Sequence, residues 1–412
     1  MSERKNAQRF LPWLKRRILF SAFLLKLVSH SHFSLASGEM FFDPMDGMFD
    51  ASRYLSENAY GFLPVPIIIT DPAVEGGLGV VGVFFHENEE DKDKRLDAMQ
   101  SSEKAAAYLL PPSASALVAA YTGNDSWFAG AGHMAFWDRG NIRYTGGFGY
   151  GDVNLDFYGF GEVQLPASVE VNTRASGVFQ SLRFRVGESP FFMGILQRAI
   201  SANLQPARLD MIDGTNLPDD LKDRIKTALS VDTKTSGLGL VAEFDTRDNV
   251  FSPKLGYLYS SKWVCFDEVL GSDLDYNLLI LEGLNYWRLN DDFRLGLKLY
   301  SENVDAEGFL PPFATPGLVS RGIPAGRYQG KHVQQSEVEL QYELGFRWEL
   351  LAFAGAGRVA NELEDIGSSG SLINKGAGFR YHIARRYGVF MGLDIARGPE
   401  DTVWYIQAGS AW

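Results

Sequence analysis

The sequence predicts an all-β protein, a closed antiparallel transmembrane β-barrel of about sixteen strands. Three observations predict it: apolar and polar residues alternate in short segments, these segments repeat along the chain, and both ends resemble those of exported barrels. A strand with lipid outside and a watery lumen inside has this period of two. The clearest segment alternates charged or polar residues and Gly345 with Val338, Leu340, Tyr342, Leu344, Phe346 and Trp348.

One alternating strand would suit a soluble sandwich equally well, so the prediction depends on repetition. Residues 293–300 repeat the pattern, with leucines at 295, 297 and 299 in the apolar phase. An even number of strands is what bacterial barrels require. The predicted strands are 76–85, 113–122, 126–138, 142–158, 162–172, 177–187, 190–201, 235–246, 255–266, 275–289, 292–303, 333–344, 347–359, 371–384, 387–397 and 402–412.

The start of the chain predicts export. A basic region is followed by an apolar run from Ile18 to Val28, and Ser34 and Ala36 are small residues where a signal peptidase cleaves. We therefore expect a signal peptide at residues 1–36, with an uncleaved N-terminal anchor as the alternative. Residues 37–75, with a short helix around Ala51 to Glu57, are predicted to be a linker or lumen plug. The barrel is predicted to occupy residues 76–412.

Composition excludes several classes of protein. Mean hydropathy is −0.12 and no second long apolar run follows residue 36, which argues against a helical membrane protein. The chain without residues 1–36 carries 32 basic and 50 acidic residues, a charge of −18, so we expect no nucleic-acid partner. The single cysteine, Cys265, and the four scattered histidines that follow residue 36 predict no metal site and no cofactor.

The lengths of the predicted connections also suggest a barrel. The long connections 86–112, 202–234 and 304–332 join odd-numbered predicted strands to even-numbered ones, whereas the connections at 122–125, 187–189 and 290–291 are short. This asymmetry predicts long loops on one rim and short turns on the other, as in outer-membrane barrels. The first long loop is charged between Glu87 and Lys104 and is predicted to be solvated.

One loop carries a more specific signal. The stretch Arg321-Gly322-Ile323-Pro324-Ala325-Gly326-Arg327-Tyr328 precedes the clearest alternating strand, and five predicted strands remain to the end. This order resembles the insertase barrels of the BamA/TamA superfamily, the bacterial surface antigen family, in which such a tip folds into the lumen and contacts the wall. Gly376, Gly378 and Arg380 match the family's third-last strand. The tail from Gly392 resembles its closing hairpin and aromatic-ended targeting signal, carried here by Trp404, Ile406 and Trp412.

The resemblance has two departures. Phe353-Ala354-Gly355-Ala356-Gly357 has glycine where the family usually has an aspartate, so one anchor for the loop is missing. The family's client-receiving POTRA domains are also absent from the short stretch before the first predicted strand. The resemblance implies outer-membrane lipid, the barrel-assembly machinery during biogenesis, and a polypeptide or lipid client as partners.

The partners of the Arg321 side chain can be predicted without the family resemblance. A guanidinium in a partly dehydrated lumen must be paired, and Glu337, Glu339 and Glu343 lie on one face of the following strand. We therefore predict that Arg321 bonds at least one of these carboxylates. The alternative is a solvated loop residue.

The sequence contains no Gly-x-Ser-x-Gly elbow, zincin motif, P-loop or dinucleotide fingerprint, so we expect no enzyme. The favoured hypothesis is a barrel of the Gram-negative-type outer membrane that takes part in protein or lipid translocation or insertion. A gated channel closed by the Arg321 loop is the alternative. A barrel hydrolase, for example one using His133 and a serine across the sheet, is less favoured.

Overall fold

The computed structural model describes residues 41–57, 62–86, 113–160, 163–206, 210–214, 216–250, 253–308, 310–385, 389–408 and 412. The predicted signal peptide and the charged loop 87–104 lie outside these residues. Residues 41–49 belong to a separate small unit, in which Phe42 and Phe49 form a single antiparallel β-bridge. The unit that begins at Asp50 contains the sheet.

The sheet has sixteen antiparallel strands in chain order, each paired with the next. This confirms the predicted fold class. The strands are β1 (Phe62–Ile69), β2 (Gly77–His86), β3 (Ser113–Thr122), β4 (Trp127–Trp137), β5 (Ile142–Phe160), β6 (Val163–Arg185), β7 (Phe191–Pro206), β8 (Asp232–Asp245), β9 (Gly256–Phe266), β10 (Tyr276–Arg288), β11 (Phe293–Ala306), β12 (His332–Leu344), β13 (Trp348–Ala360), β14 (Leu372–Ala384), β15 (Val389–Arg397) and β16 (Thr402–Ala408).

The barrel closes where β16 meets β1, a boundary that we call the seam. The Thr70 hydroxyl donates to the carbonyl of Trp404, but no backbone ladder joins the two strands among the described residues. Pro64 and Pro66 lack N–H groups on the same edge of β1, and the other edge pairs with β2 without a break. The seam-facing edge of β1 therefore lacks two donors that a closing ladder would need.

The strands differ from the prediction in two places, and the two errors cancel in the count. β1 lies within residues 37–75, so the sheet begins before the predicted boundary at 76. Its prolines do not suit a central strand, but they are tolerated at an edge. The predicted strands 162–172 and 177–187 are the single strand β6, because the small residues Ala175, Ser176 and Gly177 pair continuously with β5 and β7.

Because of these differences, the long connections do not all lie at one rim, contrary to the prediction from the sequence. We call the rim where even strands end and odd strands begin the lower rim, and the opposite one the upper rim. Residues 87–112 connect β2 to β3 and therefore start and finish at the lower rim, beside short turns such as the one between β6 and β7. The connections 207–231 and 307–331 are at the upper rim, together with the short turn from Thr122 to Trp127.

Side chains alternate between lumen and exterior as predicted for β12. Glu337 and Glu339 are each 2% exposed, whereas Val338 and Leu340 are 41% and 40% exposed. Buried charges and exposed leucines invert the pattern of a soluble protein. Leu295, Leu297 and Met391 share this outward phase on their own strands, as expected.

Within the described residues, three short helices accompany the sheet: α1 (Ser52–Glu57), α2 (Asp210–Asp213) and α3 (Asp219–Leu229). The chain entering α1 is held at the lower rim, where Asp50 pairs with Arg347 at 2.6 Å and the Ala51 amide donates to the Ile383 carbonyl at 2.6 Å. At the upper rim, Ile225 and Leu229 of α3 pack on the lumen-facing residues Val169 and Leu204. None of the helices in the described ranges is long and apolar enough to cross a membrane.

Candidate functional site

The β11–β12 loop, residues 307–331, turns into the lumen at Arg321. Leu318 and Ile323 are 1% and 4% exposed and pack with Val333, and the Leu318 amide donates to the Tyr328 carbonyl at 2.9 Å. This apolar contact fixes the loop on the inner wall. The tip between Leu318 and Ile323 is thereby directed toward the polar face of β12.

Arg321 is ion-paired with three carboxylates. Its Nη2 lies 2.6 Å from Glu337 Oε1 and 2.8 Å from Glu339 Oε2, and its Nη1 lies 3.0 Å from Asp394 Oδ2. The guanidinium also lies over the Phe353 ring, 3.4 Å from the centroid. Arg321 is 8% exposed, so these contacts replace water around a nearly dehydrated charge.

Neighbouring strands hold these carboxylates in place. Arg380 on β14 binds both Asp394 oxygens, at 2.5 and 2.9 Å. Asn374 donates to Glu337 Oε2 at 3.1 Å, and Gln341 donates to Glu339 at 2.6 Å. The Arg321 cluster, by which we mean Arg321, Glu337, Glu339, Asn374, Arg380 and Asp394, therefore joins the loop to β12, β14 and β15.

Gly355 contributes space to this cluster. An added Cβ would lie 2.5 Å from Asn374 Oδ1 and 3.3 Å from Glu337 Cγ. Gly355 belongs to the stretch in which the resemblance predicted a missing aspartate anchor, and its lack of a side chain leaves room for Glu337 and Asn374. The additional anchor is Asp394 on β15, and Phe353 provides the aromatic surface under the guanidinium.

The same loop touches both sides of the seam. The Gly322 amide donates to the Tyr405 hydroxyl of β16 at 2.8 Å, and the Ala325 amide donates to Asp71, just after β1, at 3.3 Å. Gly322 has φ of +85°, and a Cβ on it would lie 2.8 Å from the Gly398 nitrogen. Glycine is therefore required at 322 by both conformation and space.

Arg327 holds the outer part of the loop. Its Nε donates to both oxygens of Glu400, at 2.9 and 3.0 Å, and its guanidinium lies 4.0 Å from the centre of the Tyr158 ring. The hydrogen bond from Arg327 lowers the pKa of the Glu400 carboxyl below its ordinary range. Burial, followed by the hydrogen bond to Glu400, raises the pKa of Tyr328 to about 12. Gly326, with φ of +73°, allows the turn before Arg327.

The structure does not bring all predicted site residues together. Glu343 lies toward the lower rim, where it pairs with Lys254 at 2.9 Å and Arg294 at 3.2 Å. Trp404 and Ile406 are in the outward phase of β16, and Trp404 is 45% exposed.

Trp412 was predicted to end the last strand, but β16 ends at Ala408. Its indole Nε1 donates to Glu337 Oε1 at 2.7 Å, and its carbonyl accepts from the Tyr286 hydroxyl at 3.1 Å. A Cβ added to Gly296 of β11 would lie 2.5 Å from the Trp412 ring. Trp412 thus occupies the lumen beside the Arg321 cluster.

The sequence interpretation missed Asn374, Phe353 and Tyr405 and assigned Asp394 no role in binding Arg321. All four lie in the inward phase of their strands, which alternation could have identified. What alternation could not identify is the loop residue that each of them meets.

A second polar group lies on the outer face. Ser115 Oγ is 2.9 Å from His133 Nδ1 and 2.8 Å from His86 Nε2, on three adjacent strands. Ser115 shares the phase of Leu117, which is 55% exposed. Across the described part of the chain, no group of three histidine, cysteine or acidic residues could hold a metal ion.

Together these features define a class of protein, a sixteen-stranded antiparallel barrel with an upper-rim loop anchored inside the wall. It is similar to BamA from Haemophilus ducreyi lacking POTRA domains 1-3, at a TM-score of 0.52, 12% identity, and coverage of 84% of this chain and 69% of that one. It is also similar to CdiB from Escherichia coli, at a TM-score of 0.54 and 12% identity, covering 84% of this chain and 62% of that one. CdiB from Acinetobacter baumannii matches at a TM-score of 0.51 and 11% identity, covering 84% and 59%.

The predicted resemblance to BamA-like barrels is thus confirmed for the fold. The chain spans less than two thirds of the length of either CdiB chain. No family model matches the sequence. No curated protein matches it either.

Proposed function

We propose that this protein is an integral outer-membrane barrel that takes part in moving or inserting a polypeptide or a lipid at that membrane. One observation carries the proposal: a loop anchored in the wall by Arg321 contacts both sides of a seam that lacks a backbone ladder among the described residues. The unpaired edge of β16 at such a seam can accept a client strand, and a seam without a ladder can admit a lipid. The likeness to BamA and CdiB barrels supports the same class of activity.

The proposed partners follow from this. Lipid of the outer membrane surrounds the outward leucines, and the barrel-assembly machinery inserts the chain during biogenesis. The client is a polypeptide strand or a lipid that enters at the seam. Mature protein is located in the outer membrane after export.

The test locks the seam. Thr70→Cys with Trp404→Cys places a disulfide across it, and Val65→Cys with Val81→Cys places one across the laddered β1–β2 pair as the control. Both are made with Cys265→Ser. The unlocked barrel in liposomes is expected to accelerate folding of a second small barrel, or transfer of a fluorescent lipid. Oxidation should abolish that effect only in the seam pair. If the unlocked protein accelerates neither process, the proposal fails.

The Ser115 group supports a second candidate function, hydrolysis of a lipid ester at the outer face. Ser115 Oγ would attack the ester carbonyl while His133 Nδ1 accepts its proton, and the ester C–O bond would break as that proton passes to the departing alcohol. Water would then attack the acyl-serine, giving a proton to His133, and would release the fatty acid as the Ser115 hydroxyl is restored. Ester cleavage by purified protein in mixed micelles tests this, with Ser113→Ala as the control for Ser115→Ala. Activity that survives Ser115→Ala, or the absence of activity, rejects the second candidate.

A further inference from the structure

A groove of about 870 Å³ crosses the outer face of the sheet from β7 and β8 to β14. Its floor is a row of residues paired side by side on five strands: Glu243, Ser260, Glu282, Tyr300 and Gln335. Each floor residue points into the lumen, so the groove meets its backbone. The walls are formed by the residues directly before and after each floor position, which point outward.

The position of the walls places the groove outside the barrel. Phe244, Tyr259 and Leu299 line it and are 37%, 45% and 46% exposed. A lumen cavity at the same height would also be lined by the next inward residues along these strands, such as Val241 or Leu284. Neither of these lines the groove. Gly283 in the wall has no side chain, and the Tyr259 ring packs over it: an added Cβ would lie 3.2 Å from that ring.

The lining changes from apolar to polar along the groove. Its lower end, near the rim where β8 finishes, is formed by Phe191, Phe244 and Tyr259, and Leu281 and Leu299 form its middle. Its upper end is polar. The residues there are Ser301, Gln334, Ser336, Arg358 and Ser371.

The dimensions suit one extended hydrocarbon chain. From Phe244 on β8 to Arg358 on β13 there are five steps between neighbouring strands, which at about 4.8 Å each give a length of about 24 Å. With strands tilted by about 45°, this length rises about 17 Å along the membrane normal, close to one leaflet of a hydrocarbon core about 30 Å thick. The volume also lies within the roughly 300–1,000 Å³ that is usual for small-molecule sites.

Arg358 places a cation at the polar end. It lies two residues before the upper end of β13, and its Nε donates to Ser371 Oγ at 3.0 Å. Its Nη1 donates to the Gly367 carbonyl at 2.9 Å. Among the described residues no carboxylate pairs with Arg358, and its Nη2 has no partner. The guanidinium is therefore oriented by neutral acceptors and keeps its charge for an anion.

We propose that this groove binds one membrane lipid with a phosphate-bearing head group. The acyl chain lies along Leu299, Leu281 and Phe244, and the phosphate accepts hydrogen bonds from Arg358 at the upper rim. The inference rests on residence of the barrel in a bilayer, which is part of the proposed function. It does not require the seam to open.

The test measures lipid retained by purified full-length protein. The protein is reconstituted in vesicles with equal amounts of phosphatidylglycerol and phosphatidylcholine that carry the same chains, then extracted in mild detergent. Native mass spectrometry counts the retained lipid. We expect one phosphatidylglycerol per barrel, with at least about tenfold preference over phosphatidylcholine. Both phosphates can accept hydrogen bonds from Arg358, but the choline ammonium already neutralises its own phosphate and repels the guanidinium.

Two matched pairs of variants locate the site. Arg358→Ala should lower phosphatidylglycerol retention about tenfold, whereas Arg397→Ala, also outward and at the upper rim, should leave it unchanged. Ala356→Phe fills the groove and should abolish retention. Ala352→Phe, outward on the same strand but outside the groove, should not.

Each outcome decides a separate point. A barrel that inserts into vesicles but retains no phosphatidylglycerol, or retains it equally in Arg358→Ala and Ala356→Phe, overturns the lipid site and leaves the proposed function standing. A chain that folds in detergent but never enters vesicles contradicts the proposed function itself. Retention of both lipids in equal amounts shows an unspecific lipid shell and also overturns the site.

Discussion

Gly322 in the lumen loop and Gly398 in the β15–β16 turn approach so closely that neither position has room for a side chain. A Cβ on Gly398 would lie 1.9 Å from the Gly322 carbonyl oxygen. The loop tip is therefore held against the last hairpin by backbone shape as well as by charge. This contact lies beside the seam, which makes the loop a part of the closure of the barrel.

The first prediction concerns this contact. Gly398→Ala should displace the loop tip from Tyr405 and destabilise the barrel by roughly 1–3 kcal/mol, because overpacked atoms force backbone shifts. Gly370→Ala is the matched control, since nothing lies within 4 Å of a Cβ there. Denaturant unfolding in detergent and proteolysis of the loop measure both effects. Equal stability of the two variants would contradict the close approach.

The second prediction compares the two arginines of the loop. Arg321→Ala leaves Glu337, Glu339 and Asp394 buried without one of their cations, at a cost of roughly 3–5 kcal/mol. Arg327→Ala removes a partly exposed pair with Glu400 and should cost less than about 1 kcal/mol. The yield of folded barrel, read as its shifted mobility on unheated gels, ranks them. A greater loss of yield for Arg327→Ala would show that the buried cluster is not the main anchor.

The third prediction tests the strand phase of β12. Leu340→Lys places a charge on the lipid face and should cost roughly 2–4 kcal/mol near the bilayer midplane. Gln341→Lys points into the lumen beside Glu339 and should be far milder. Folding into liposomes at increasing urea compares the two variants. Comparable yields would reject either the phase or the membrane placement.

The fourth prediction concerns conductance. Because the tip at Arg321 and the ring of Trp412 both occupy the lumen, the intact barrel should conduct weakly and with fluctuations in planar bilayers. Deleting residues 318–330 should raise the conductance by widening the aqueous path. Deleting residues 364–369 of the β13–β14 loop serves as the control. A large, steady conductance of the intact protein would instead favour a plain porin.

The fifth prediction concerns pH. The hydrogen bond from Arg327 lowers the pKa of Glu400 from its ordinary 4.5. The contribution of the ionised Glu400 to stability is therefore fully present above pH 4.5, and it is lost as the pH falls through the lowered pKa of the folded protein. Hydrogen exchange at residues 324–328 should therefore increase only on acidification below about pH 4.5. Glu400→Gln should remove this pH dependence. An unchanged profile in that variant would assign the transition to another group.

Much of the candidate site could be predicted and some could not. The alternation of Glu337 and Glu339 with Val338 and Leu340 predicted which side chains enter the lumen, because phase is local to one strand. Pairing of Arg321 with Asp394, 73 residues away, depends on the loop folding back across the barrel. Glu343 points into the lumen like Glu337 and Glu339, but it lies too close to the lower rim to reach Arg321. Which carboxylate Arg321 reaches depends on where the loop tip enters the lumen.

The sequence by itself determined the class of fold, the outward and inward phases, and the arginine-glycine loop as the feature to examine. Only the tertiary structure decided that Pro64 and Pro66 belong to the first strand, that Trp412 turns into the lumen, and that outward residues of several strands form one groove. The physical reason is that alternation and turn propensity act between near neighbours in sequence. Register, strand edges and loop contacts become defined only when sixteen strands close around a common lumen.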